Sequence, residues 1–172
     1  MAVVGLFWIT EDAVYLGAEP VGTASGVRLT EDGVEALGID HGTYWSWSEV
    51  RRIDVLDVPV RSAGRRLVSM ALGSLLVAVT GDGEFPPAYT VRVETAEDAV
   101  EVSVMSAVVG GIYQPVEYEL SRTLLDRLAD GRATVGDLSA WRRDHAADGT
   151  PPREEREALL RKWADGWLST SG

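Results

Sequence analysis

The chain has 172 residues, 45% hydrophobic and 25% charged, which supports one compact core with an appendage. With no cysteine it has no disulfide, no thiolate chemistry and no cysteine-ligated zinc, and it fits a reducing cytoplasm. The formal charge of −11 divides as −9 over residues 1–116 and −2 over residues 117–172, a field that repels duplex DNA and anionic lipid headgroups.

From the N-terminus, Met1 to Ile9 has no basic n-region and meets Glu11-Asp12 at once, so it does not read as a secretory signal. Val3 to Ile9 and Ala13 to Gly17 read as two strands joined across Thr10-Glu11-Asp12. The same turn vocabulary returns at Thr30-Glu31-Asp32-Gly33, between Val27 to Leu29 and Val34 to Leu37, and at Thr95-Ala96-Glu97-Asp98, between Tyr89 to Glu94 and Ala99 to Met105. Asp in such turns can bond nearby amides and Gly33 can supply positive φ, so each is a hairpin signal with a mechanism. Brought together in space, the three acidic tips would make a cation or partner site; the favoured expectation is solvated turns in separate hairpins.

Tyr44 to Val58 is the densest stretch. Trp45 and Trp47 alternate with Tyr44, Ser46 and Ser48, a period of two, and Ser48-Glu49 supply a turn before Val50, Ile53, Val55 and Val58 resume apolar spacing. Trp47 is expected to be substantially buried at that turn. Gly26-Val-Arg-Leu-Thr-Glu-Asp-Gly-Val-Glu-Ala-Leu-Gly38 followed by Trp47-Ser-Glu-Val-Arg-Arg-Ile53 resembles bacterial pleckstrin-homology-like domains, in which a hairpin with a Gly turn leads to a Trp-x-Glu-Ile-type turn, further strands and a closing helix. The resemblance covers roughly residues 1–130. It implies binding rather than catalysis, and it departs from the family in an apolar insert after Arg66 and in two helices after the closing one. Family members that bind phosphoinositides usually do so with basic side chains on a loop between early strands. Here the early turns carry Glu11-Asp12 and Glu31-Asp32, so no such recognition is expected.

In the insert, Pro59 to Pro87, Ser62 can cap a helix from Ala63 through Leu67 to Val79, with Gly73-Ser74 as the turn of an alternative hairpin. That apolar run is too short to span a bilayer, which needs about 20 residues. Gly81 to Pro87 reads as a loop. Beyond it, Tyr89, Val91 and Val93, then Val100, Val102 and Val104, mark a hairpin with one wet face.

After Gly110-Gly111 the period becomes helical. Leu120, Leu124 and Leu128 recur at four and Gly131 suits the C′ position. Thr134 with Asp137 suggests a capping box for a second helix bearing Leu138 and Trp141. Thr150 as cap, Pro151 at the first helical position and Glu154-Glu155 announce a third, whose stripe holds Leu159, Trp163 and Trp167 beside Leu160, Ala164 and Leu168. Packing against the β module is the favoured role of those tryptophans. Burial against the β module or a symmetry-related copy makes a homodimer the expected assembly; left exposed, Trp163, Trp167 and Trp141 would be partner-binding residues.

Chemistry leaves few marks. The two histidines are His41, in Ile-Asp-His-Gly, and His145, at a helix end. Asp40-His41 reads as a solvated turn rather than a general base, and Asp82 with Glu84 fall short of a hard-cation ligand set. No His-Glu-x-x-His, Gly-x-Ser-x-Gly, phosphate loop or dinucleotide fingerprint occurs, so no catalytic residue, metal or cofactor is assigned. The sequence therefore predicts an α+β protein. Residues 1–130 form a bent antiparallel sheet or partly open β-barrel, pleckstrin-homology-like and closed by a helix, with a helical insert near 63–79; residues 131–172 form a C-terminal helical extension. Its expected role is a cytoplasmic protein-interaction module without stable membrane insertion, the alternative being a small-molecule or lipid carrier with an apolar cavity.

Overall fold

The computed structural model describes residues 2–38, 42–60, 88–108 and 112–165. The helix or hairpin expected at 67–79, Asp40-His41, Asp82, Glu84 and Trp167 lie outside the described residues. Within them the chain is α+β, with nine strands, β1 (Ala2–Val4), β2 (Phe7–Ile9), β3 (Val14–Leu16), β4 (Gly26–Leu29), β5 (Gly33–Leu37), β6 (Tyr44–Ser46), β7 (Val50–Leu56), β8 (Ala88–Thr95) and β9 (Ala99–Met105). Three helices follow, α1 (Pro115–Ala129), α2 (Val135–Asp144) and α3 (Arg153–Ala164). β1 to β6 form one antiparallel meander in chain order and β7, β8 and β9 a second antiparallel sheet; neither closes on itself. The second sheet approaches the first where Ala18 N–H donates to Met105 O at 2.7 Å and the Ser25 hydroxyl to Ser103 O at 2.7 Å.

Alternation sorts the meander into two faces. The cross-strand rows Ile9–Val14–Leu29–Val34–Trp45 and Phe7–Leu16–Val27–Ala36 point into the core, while Val3–Trp8–Tyr15–Arg28–Glu35–Tyr44 forms the opposite face, with an Arg28–Glu35 ion pair. Each large apolar side chain so buried contributes roughly 1.5–3 kcal/mol. Trp45, 9% exposed and paired with Val34, is the tryptophan on the core face; Trp47 lies in the β6–β7 turn, partly exposed, its indole N–H donating to Thr30 O at 2.8 Å. Trp47 is thus largely buried at that turn, as expected, and packs against the core that Trp45 enters fully. The turn takes it off the ladder, and period two hands the core position to Trp45.

Val3 to Ile9 is two strands, not one. Gly5 adopts φ +59° in a tight turn, and a Cβ there would lie 2.1 Å from Ser121 Oγ on α1. That hydroxyl accepts the Leu6 N–H at 3.1 Å, so the turn and the helix are fitted to each other at one contact.

Helix α1 packs on β7, α3 on α1 and β1, and α2 on β2 and β3, so Leu124, Leu128, Leu138, Leu160 and Trp163 belong to the same apolar cluster as the strands. Gly131, at φ +77°, follows α1 as expected. Neither threonine caps as expected. Thr134 occupies the N-cap position of α2 without a side-chain bond. Pro151-Pro152 delays α3 until Arg153, and Thr150 Oγ1 accepts Val3 N–H of the edge strand at 3.1 Å instead. Arg156 forks onto the buried Glu117 at 2.6 and 3.2 Å and donates to Pro151 O at 2.8 Å, binding α3 to α1. At the foot of β8, Tyr89 meets Tyr113 edge to face at 6.1 Å, and burial pushes both phenols up, Tyr89 well above the usual tyrosine value.

Three outcomes follow from these contacts. Gly5→Ala adds both αL strain and a steric clash, about 3 kcal/mol together, measurable by denaturant unfolding. Glu117→Ala strands the Arg156 charge and costs about 3 kcal/mol, whereas the double change to apolar residues of similar volume recovers most of that loss in the same measurement. Because the folded phenols titrate above the unfolded value, their stabilising share is complete below about pH 10 and is lost as pH rises through the folded values. Ultraviolet titration should therefore find Tyr89 ionising only as the fold gives way, and Tyr89→Phe should flatten the alkaline loss.

Candidate functional site

Alternate turns of a meander lie at the same end, and here those turns are acidic. The row Ile9–Val14–Leu29–Val34–Trp45 lies at the end of the sheet that holds the β2–β3, β4–β5 and β6–β7 turns, which carry Glu11-Asp12, Glu31-Asp32 and Glu49. Trp47 N–H donates to Asp32 O at 3.3 Å, tying the third turn to the second. Val50 pairs with Thr95, which brings the β8–β9 turn with Glu97-Asp98 to the same end. All seven carboxylate side chains belong to exposed residues. A cleft of about 560 Å³ runs between the last two turns, with Trp45, Ser48, Glu49, Arg51, Glu97 and Asp98 in its walls.

The turns share one construction. Thr10 Oγ1 donates to Ala13 O at 2.8 Å and accepts Ala13 N–H at 2.9 Å; Thr30 does the same with Gly33 at 3.3 and 3.2 Å, and Thr95 with Asp98 at 3.1 and 3.2 Å. The threonine hydroxyl therefore clips the turn, where the sequence pointed to the acid. Of the apex acids, Asp98 bonds an adjacent amide, that of Ala99 at 2.7 Å, and Glu49 holds Ser46 N–H at 2.8 Å. In chemical terms the rim is a concentrated negative field around a cleft with an indole in its wall. It suits attraction of cationic groups more than bond making, and no group of three or more His, Asp or Glu among the described residues is placed to hold a metal ion.

The residues singled out in the tail lie elsewhere. Trp163, 2% exposed, is inside the chain's own core; Trp141 is half-buried, edge-on to Trp163 at 5.9 Å and stacked on His145 at 5.0 Å. His145 Nδ1 lies 2.8 Å from Trp141 O, within the same helix end. The structure thus joins Trp141 to Trp163. Sequence reading raised a meeting of the three tips only as the disfavoured alternative, and it missed Glu49 as part of it. The usable signal was turn parity, since two Thr-Glu-Asp turns separated by one intervening connection must share an end of a meander.

Thr30→Val removes the clip and should cost about 1 kcal/mol in chemical unfolding. Glu31→Gln with Asp32→Asn should not destabilise the fold, and should weaken the rise of melting temperature with added salt that like-charge crowding produces.

Comparison with models of known protein families, with curated proteins and with solved structures finds no match for this chain.

Proposed function

We propose that the chain is a non-enzymatic, cytoplasmic protein-interaction module of pleckstrin-homology-like fold, which receives a basic segment of a partner protein on its acidic rim. The observation that carries the reading is the gathering of Glu11, Asp12, Glu31, Asp32, Glu49, Glu97 and Asp98 at one end of the β module beside an open cleft. Such a field steers oppositely charged partners and rejects anionic ones. The pleckstrin-homology-like part of the proposal is supported by the Trp47-Ser48-Glu49 turn between two antiparallel sheets and by α1 packed on β7 after the last strand. Among the described residues the inward rows of the meander and the helix stripes meet in one apolar cluster, which supports an interaction role over a carrier. No helix among the described residues is long and apolar enough to cross a membrane.

The test is titration of the protein with a Lys/Arg-rich peptide and with its Glu-substituted counterpart, followed by rapid mixing and by light scattering for the mass of the complex. Association with the basic peptide alone is expected, its rate falling about tenfold or more as salt is raised. Glu31→Lys, Asp32→Lys, Glu97→Lys and Asp98→Lys together should abolish it with the fold retained. Equal binding of both peptides, or none at low salt, would overturn the proposal. Flotation with anionic vesicles at low salt should leave the protein unbound.

A further inference from the structure

We draw no further inference here: the strongest candidate, the cleft of about 390 Å³ between the edge strand β1, the β9–α1 connection and the first turns of α1 and α3, with Ile112 and Val116 exposed beside it, carries nothing because the structure does not show what covers it.

Discussion

Period-two alternation held across five consecutive antiparallel pairings is the constraint on which everything else rests. The strands of the meander are only three to five residues long, too short for any one of them to fix its own register. What fixes it is that a one-residue slip turns a strand's core side chains outward, as a slip of β4 and β5 would exchange Leu29 and Val34 for Arg28 and Glu35 in the core. The ladder is therefore specified by burial, and short clipped turns transmit the specification from strand to strand. Where the chain leaves the ladder, at Trp47, a side chain of the same type is only partly buried against the core, and its indole N–H ties the β6–β7 turn to the β4–β5 turn.

The helices complete what the sheets leave open. Edge strand β1 would present an unpaired backbone; instead Thr150 takes its outward N–H, α3 lies along it and Ser121 receives the neighbouring amide from the Gly5-Leu6 turn. The Glu117–Arg156 pair is worth little as attraction alone once desolvation is counted, but it fixes how α3 crosses α1. With Leu138, Leu160 and Trp163 folded into the same cluster, α2 and α3 are part of the core.

Much of the fold was legible from the chain. The β9 hairpin, the paired turns and the three helices follow from alternation, Thr-Glu-Asp spacing and helical periodicity, each a local property. The misplacements have local causes with remote origins. Gly5 breaks a strand because Ser121 lies against it, and Thr150 bonds a strand 147 residues away instead of its own helix. No window of sequence contains such partners. The rim was legible only in pieces: each acidic turn announced itself, but their meeting depends on strand order, and Glu49 counted as a turn former until the pairing of Val50 with Thr95 put it opposite Glu97 and Asp98.

The bonds Val3 N–H to Thr150 Oγ1 and Leu6 N–H to Ser121 Oγ join residues separated by 147 and 115 positions. During synthesis β1 emerges well before Ser121 and Thr150, so these partners reach it only after a long further stretch of chain has been made. Closing so long a loop is slow relative to forming the local hairpins, so sealing of β1 belongs late in folding. Until then the newborn chain shows its surroundings an open strand edge.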